Sequence, residues 1–297
     1  MPTDLSIVIV NHNTRDMLQL CLENVFSKVQ GVSFEVFVVD NASHEDSTVM
    51  VAKKFPRVNL IQNKENLGFA IANNIALEQC SGEFVLLLNP DCFLLDSFGK
   101  QELEFMKQNP SVGVLGTKLL NNDGSLQHSC RSFPNYFSPL FGRTGLFTKL
   151  FPNNSQSKKY LLSGSSHSEV RDVDWVIGAC MIVRKSLLDE IGLLDPYFFL
   201  FCDDLDLCYR TKKAGYRVVY HPRTKAIHLI GTSTGQVKLK SVILHHKSMY
   251  YFFKKHYSLP VIVKPVVWLG MGLNVSYYLL AGLASKIRGV FLQSYAE

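Results

Sequence analysis

The 297-residue sequence has no G-x-G-x-x-G after its first apolar segment, where Asn11-His12-Asn13-Thr14 stands instead. That argues against a dinucleotide-binding dehydrogenase. It has no G-x-x-x-x-G-K-[ST], so P-loop chemistry falls away as well. The seven cysteines are odd in number and scattered without a C-x-x-C pair. Neither a zinc site nor a disulfide framework is suggested, and a reduced, cytosolic compartment is expected. Asp4 leads directly into an apolar strand, so no signal peptide is expected. Charge is missing altogether from Pro265 to Ser285. That length approaches the roughly 20 residues that span a bilayer. Gly270, Gly272, Asn274, Ser276 and two tyrosines dilute its hydrophobicity, so a helix lying on a membrane, a true span and a soluble packing helix all stay open.

What the chain does have is apolar mass and alternation. Hydrophobic residues make up 47 % of it and no repeat or low-complexity tract occurs, which fits one large or two smaller folded domains. Strand-like and helix-like segments alternate: strands at 5–10, 34–39, 58–61, 84–88 and 112–115, with helices between them from Thr14, after Asn41, over 68–80 and over 97–108. Thr14 is placed to cap the first helix, with Met17, Leu20, Cys21 and Val25 on its apolar face. This rhythm predicts an α/β fold with a mostly parallel sheet flanked by helices. After Gly116 the rhythm changes. Asn121-Asn122-Asp123-Gly124 reads as a hairpin turn and 130–170 as a variable loop. Strand character returns over 173–183 and 217–220, a helix over 203–214 is stopped by Gly215, and 240–257 reads as a basic, aromatic helix.

The net charge is +6, with Lys238, Lys240, Lys247, Lys254, Lys255, Lys264, Lys286 and Arg288 falling late. That bias fits a phosphorylated substrate or an acidic membrane surface; without an aromatic-and-basic recognition motif, nucleic acid is not expected.

Three features carry chemistry. The apolar run Phe84 to Leu88 ends on Asn89-Pro90-Asp91, where ligands of open α/β sheets bind. Pro90 stops the ladder, and Asp91 is a cation ligand, a contact to a sugar hydroxyl, or ordinary turn chemistry. Asp40 ends the second strand and His228 follows a later one, so all three can meet at one sheet edge; a lone histidine near a strand is more often a satisfied core or surface residue. Asp203-Asp204-Leu205-Asp206 opens a helix behind Phe198-Phe199-Leu200-Phe201. Capping accounts for Asp203 and Asp206 but less well for Asp204, which in an apolar pocket becomes a better base. Trp175 is either core packing or a platform for a sugar or a base, and Gly68 and Gly178 permit close backbone approach.

Taken in order, Val8-Ile9-Val10-Asn11-His12-Asn13, Val38-Val39-Asp40-Asn41-Ala42-Ser43, Asn63-Lys64-Glu65-Asn66-Leu67-Gly68-Phe69-Ala70 with Asn73-Asn74, Leu87-Leu88-Asn89-Pro90-Asp91, Trp175-Val176-Ile177-Gly178-Ala179, Asp203-Asp204-Leu205-Asp206-Leu207-Cys208 and His228-Leu229-Ile230-Gly231-Thr232-Ser233 resemble the inverting family 2 glycosyltransferases of GT-A fold, in their rhamnosyltransferase-like branch. The resemblance implies a Rossmann-like GT-A domain, expected over 1–258, and the charge-free stretch makes 259–297 the expected membrane-associating helical segment. It implies that Asp40 contacts the nucleobase beside Asn11, and that Asn66, Gly68 and Asn73 line the nucleotide-sugar pocket. It places Asn89 and Asp91 at the D-x-D position, with Asp91 and His228 on a divalent cation, Mn²⁺ or Mg²⁺. Asp204 becomes the general base, with Asp203 and Trp175 on the acceptor side. Asn89 departs from the acidic first member of that motif. The implied donor is dTDP-rhamnose, with a UDP-sugar next. The implied acceptor is a saccharide or a polyprenyl-diphosphate-linked sugar at the cytoplasmic face of the cell membrane. A nucleotidyltransferase on a similar sheet and a catalytically silent sugar-binding relative are the alternatives; the latter should have lost Asp91 or Asp204.

Overall fold

The computed structural model describes residues 3–136, 138, 150–151, 154–162, 167–229 and 238–257, with six further positions between 265 and 276. The chain divides into two compact units, Met1–Phe133 with Gly164–Gln236, and Pro134–Ser163 with Val237–Glu297.

The first unit is built on β1 (Leu5–Asn11), β2 (Val29–Gln30), β3 (Phe34–Asp40), β4 (Val58–Gln62), β5 (Phe84–Leu88), β6 (Cys92–Leu94), β7 (Phe98–Gly99), β8 (Val112–Leu120), β9 (Leu126–Gln127), β10 (Cys130–Arg131), β11 (Arg171–Asp172), β12 (Trp175–Val176), β13 (Cys180–Arg184) and β14 (Arg217–His228). Its main sheet runs β11-β14-β8-β13-β5-β1-β3-β4, with β6 beside β14 and β9 beside β8. β1 and β5 are buried along their whole length, which is why β5 and the Ile7–Val10 stretch of β1 read as apolar runs rather than alternating ones. The β4-β3-β1-β5 half is parallel throughout. β13 then enters antiparallel between β5 and β8.

That one antiparallel strand matters for function. Cys180 pairs with Leu88, so the segment leading into β13 arrives at the carboxyl end of β5. There the Asn89 N–H donates to the Ala179 carbonyl at 2.9 Å. After the Pro90 break, β6 turns back against β14 with Cys92 opposite His228, and the Leu229 N–H donates to the Asp91 carbonyl. β14 is longer than the expected 217–220. Pro222 lies at an irregularity between His221 and Lys225, where a proline is tolerated, and pairing resumes beyond it.

The helices of this unit are α1 (Arg15–Lys28), α2 (Ser47–Lys54), α3 (Phe69–Leu77) and α4 (Lys100–Gln108). The Asn121–Gly124 turn joins β8 and β9 as a hairpin. Two expectations for α1 are corrected. Thr14 does not cap the helix with its side chain; its hydroxyl donates to Asn11 Oδ1 at 2.7 Å. The buried face is Leu18, Cys21, Leu22 and Val25, while Leu20 is exposed.

In the second unit, α5 (Ser155–Leu161) starts at Asn154, whose side chain accepts from the Ser157 N–H at 2.7 Å. The first unit then adds α6 (Lys185–Ile191) and α7 (Asp203–Lys213), and the second adds α8 (Lys238–His256). α8 buries Phe252 and Phe253, with the Tyr136 ring against Phe253. Among the described residues no helix is long and apolar enough to cross a membrane. Most of the charge-free stretch 265–285, and much of the loop expected over 130–170, lie outside the described residues.

Candidate active site

The Asn89-Pro90-Asp91 turn holds Asp91 at only 4 % exposure. His228 Nε2 lies 3.5 Å from Asp91 Oδ1 and 3.4 Å from Asn89 Nδ2. Gln127 decides which face of the imidazole is available. Its Nε2 donates to Asn121 Oδ1 and to the His228 carbonyl, so its Oε1 is the atom 2.8 Å from His228 Nδ1. An amide oxygen only accepts; His228 Nδ1 therefore carries a hydrogen, and Nε2 is the nitrogen that faces Asp91. A histidine oriented through its other nitrogen is the usual arrangement of a metal ligand. Among the described residues no cluster of three or more His, Cys, Asp or Glu suited to a metal occurs. The fit is thus to a cation held by one carboxylate and one imidazole, with its remaining positions open to substrate oxygens.

Asp203 and Asp204 open α7 after a sharp reversal in which Phe201 (φ 68°) and Cys202 (φ 65°) are both left-handed. The helix is capped by the Cys202 backbone, whose carbonyl accepts from the Asp206 N–H at 2.9 Å. The capping reading of Asp203 and Asp206 therefore fails: Asp203 is already inside the helix, and Asp206 pairs with Arg210 Nε at 2.8 Å. Asp204 accepts two backbone donors, Gly178 N–H on Oδ2 at 2.9 Å and Leu205 N–H on Oδ1 at 2.8 Å. Gly178 makes that approach easy, because a Cβ at that position would lie 3.2 Å from Asp204 Cβ, closer than ordinary contact.

Burial drives both carboxyl groups upward from the ordinary carboxylate range. Asp203 is pushed well up by burial and by the neighbouring Asp204 charge. Asp204 is raised by burial, against the pull of the Gly178 and Leu205 N–H groups and of Arg131. Fixed donors favour the ionised form. Of the pair, Asp203 is shifted further toward the protonated form and Asp204 is held back toward the ionised one by its donors.

The opposite wall is a net of asparagines. Asn41 Nδ2 donates to Asn66 Oδ1 (2.9 Å) and to the Gly68 carbonyl (3.2 Å), while Asn41 Oδ1 accepts from Asn63 Nδ2 and the Leu67 N–H. Gly68 has φ +82°, and a Cβ there would sit 2.6 Å from the Phe199 carbonyl. That same carbonyl accepts from the Phe69 N–H at 2.7 Å, latching the loop before α3 to the aromatic segment before α7.

These groups enclose a cavity of about 330 Å³. Of the expected site residues, Asn66, Gly68, Asn89, Asp91, Asp203, Asp204 and His228 line it. Asn11, Asp40, Asn73 and Trp175 do not line it; all are buried behind it. Asp40 accepts from Asn11 Nδ2 at 2.8 Å and from the Ser43 N–H at 3.0 Å. Asn73 donates to the Phe69 carbonyl. Trp175 donates from Nε1 to the Ser132 carbonyl at 2.9 Å and carries the Arg131 guanidinium 5.0 Å above its ring. Sequence reasoning missed His12, Thr14, Asn41 and Ile177 among the lining residues, and Gln127 behind His228. Asn41 was findable, since it follows the strand-ending Asp40; Gln127 was not, because its partner lies 101 residues away.

Known proteins resemble this chain in sequence and in fold. The glycosyl transferase family 2 model matches residues 6–192, more than half of the chain. An N-acetylglucosaminyl-diphospho-decaprenol L-rhamnosyltransferase of Mycobacterium tuberculosis is 29 % identical over 234 residues, covering 75 % of this chain and 75 % of the relative. A rhamnosyltransferase of Escherichia coli strain K12, WbbL, is 25 % identical over 258 residues, 84 % of this chain and 92 % of the relative. Among solved structures, a mannosyltransferase of Pyrobaculum calidifontis in complex with GDP-Man and Mn²⁺ has a TM-score of 0.58 at 16 % identity, covering 100 % of this chain and 80 % of that one. At that identity the likeness speaks for the fold alone: an α/β glycosyltransferase fold of the GT-A type. With an acidic turn, an oriented imidazole and a buried carboxylate pair around one cavity, and with its family match, the chain belongs to glycosyl transferase family 2 and is a glycosyltransferase.

Proposed function

We propose that the protein is an inverting enzyme that moves rhamnose from dTDP-rhamnose to a hydroxyl of a polyprenyl-diphosphate-linked saccharide, at the inner face of the cell membrane. The observation that carries the reading is that Asp91 and His228 open into the same cavity as Asp203 and Asp204. A sugar nucleotide laid across it has its diphosphate at the first pair and its anomeric carbon before the second. The relatives' names support the donor sugar and the lipid-linked acceptor.

Asp204, held ionised by two backbone donors, takes the proton of the acceptor hydroxyl. The acceptor oxygen attacks the anomeric carbon from the face opposite the diphosphate. The new C–O bond forms as the bond to the phosphate oxygen breaks, the electron pair leaves with the nucleoside diphosphate, and the configuration inverts. Asp203, whose carboxyl is shifted upward by burial and by the Asp204 charge, stands beside the base on the acceptor side. Asp91 Oδ1 and His228 Nε2 would hold a divalent cation, with Mn²⁺ suiting the imidazole better than Mg²⁺. When bound, that ion supplies positive charge to the departing diphosphate. Asn66 and Gly68 line the donor side. Asn11, Asp40 and Asn73 act from behind it by fixing the loops that carry Asn41 and Phe69, and Trp175 acts through the strand that presents Gly178.

The test is a panel of nucleotide sugars with a short-chain polyprenyl-diphosphate acceptor, with Mn²⁺ and with chelator. Transfer of rhamnose with inversion is the expected result. Failure of every nucleotide sugar to bind or turn over in the presence of Mn²⁺ sinks the reading.

A further inference from the structure

We propose that the second unit is a docking face for an anionic lipid surface, formed by the exposed side of α8 with Trp268 beside it. The proposal rests on charge and exposure in that unit and not on the sugar chemistry of the first. Charge is segregated by structural unit. Of the chain's 31 Lys and Arg and 25 Asp and Glu, the second unit holds twelve of the former and one of the latter, the terminal Glu297. The first unit is left acidic in net. The excess is not only a feature of the chain end, since Lys158 and Lys159 of α5 belong to it too.

α8 contains no acidic residue. At about 3.6 residues per turn, Lys240, Lys247 and Lys254 fall within roughly 40° of one another on the helix. All three are exposed, as is Lys255, while His246, Met249, Phe252 and Phe253 on the other side are buried. The lysine face is also apolar. Ile243 is 37 % exposed on it, and Tyr250 touches the ring of Trp268, 5.1 Å between centroids. Trp268 is itself 57 % exposed, Leu269 65 % and Leu273 48 %. Six of the eleven exposed large hydrophobic side chains among the described residues belong to this unit.

Positive charge alone would fit any polyanion, a nucleic acid included. A lysine face flanked by exposed aliphatics and a tryptophan fits a bilayer: the ammonium groups meet anionic headgroups while the apolar tips and the indole settle at the headgroup level. Neither signal suffices for firm attachment by itself, and this unit carries both.

The experiment uses the full chain and phospholipid vesicles without substrate, so its outcome is independent of whether sugar transfer is confirmed. Co-sedimentation is measured with vesicles of pure phosphatidylcholine and with vesicles containing phosphatidylglycerol. Binding only to the anionic vesicles is expected, weakened at least tenfold by raising NaCl from 0.1 to 0.5 M. Each lysine at an anionic surface changes partitioning by about fivefold. The variant K240Q/K247Q/K254Q/K255Q should therefore lose at least about 100-fold, with an unchanged circular dichroism spectrum. The chain has two tryptophans, and Trp175 is buried, so Trp268 should give a blue shift on binding that W268F abolishes. The salt titration of the unaltered chain decides the matter should the quadruple variant fold poorly. Equal binding to neutral vesicles, no binding to anionic ones, or tighter binding to single-stranded polyuridylate than to vesicles overturns the proposal.

Discussion

Replacing Asp204 by asparagine isolates the proposed base with the least structural disturbance. The side chain keeps its shape, and its oxygen can still accept from one of the two backbone donors, Gly178 N–H or Leu205 N–H. The other donor then faces an amide NH₂. One buried N–H without its acceptor costs about 1–3 kcal/mol. Removing a charge that burial disfavours offsets part of that cost. Stability should thus fall by no more than about 2 kcal/mol, a few degrees in Tm for a chain of this size. Turnover is another matter. A positioned base contributes about 10²–10⁴-fold, or about 3–5 kcal/mol at 1.36 kcal/mol per factor of ten. With donor and acceptor saturating, kcat of Asp204→Asn should drop by that factor while donor Kd, set at the Asp91 and His228 end, moves less than threefold. Single-turnover transfer, donor titration and thermal melting measure the three quantities separately. A folded variant with kcat within tenfold of the unaltered enzyme would refute the assignment.

Other expectations follow from the same geometry. Asp203 has a raised pKa when folded, so its contribution to stability is full below the ordinary carboxylate value and is lost as pH rises through the folded value. Asp203→Asn should therefore raise Tm at pH 7–8, by an amount that shrinks toward pH 4, in a melting series. The acid limb of kcat should titrate above the ordinary carboxylate range, since Asp204 must be ionised to act; a limb at or below pH 4 would contradict the pairing. Gln127→Leu removes the partner that holds His228 Nδ1. The Mn²⁺ concentration for half-activity should rise about 10–100-fold, and Tm should fall as well, because His228 Nδ1, the His228 carbonyl and Asn121 Oδ1 all lose their partner. Gly68→Ala places a methyl 2.6 Å from the Phe199 carbonyl at φ +82°. It should destabilise by about 1–3 kcal/mol and raise donor KM, read by melting and initial rates.

Much of the site was legible because it sits where chain direction is forced to change. Asp91 follows a proline at the end of an unbroken apolar strand, and Asp204 follows an aromatic cluster at a helix start. Both are local signals, and both residues line the cavity. Asp40 had the same local signal, a carboxylate at the end of a buried strand, yet its oxygens are turned inward to Asn11 and Ser43. The direction of a side chain at a strand end depends on what crosses behind it, and Thr14, read as a helix cap, is drawn into that same network instead. β13 was expected as a strand, but its antiparallel entry beside β5 is a long-range pairing that no local pattern encodes.

The antiparallel entry of β13 explains why this sheet edge can do chemistry on two sides of a substrate. In a wholly parallel sheet, every element reaching the carboxyl edge arrives from below, so groups there approach a ligand from one side. β13 reverses that: the Ile177-Gly178-Ala179 segment comes down onto the edge before pairing, and it touches both halves of the site. Its Ala179 carbonyl holds the Asn89 N–H, and its Gly178 N–H holds Asp204 Oδ2. One three-residue segment therefore bonds both to the turn that carries Asp91 and to the carboxylate proposed as base. Trp175 anchors its approach by the bond to Ser132 and by the Arg131 guanidinium on its ring. If Asp204 is the base, a tryptophan read as an acceptor platform acts instead through the backbone that follows it. Trp175→Phe keeps the aromatic ring but loses the Nε1 bond, so it should lower kcat more than it raises acceptor KM. A change confined to acceptor KM would return Trp175 to a platform role.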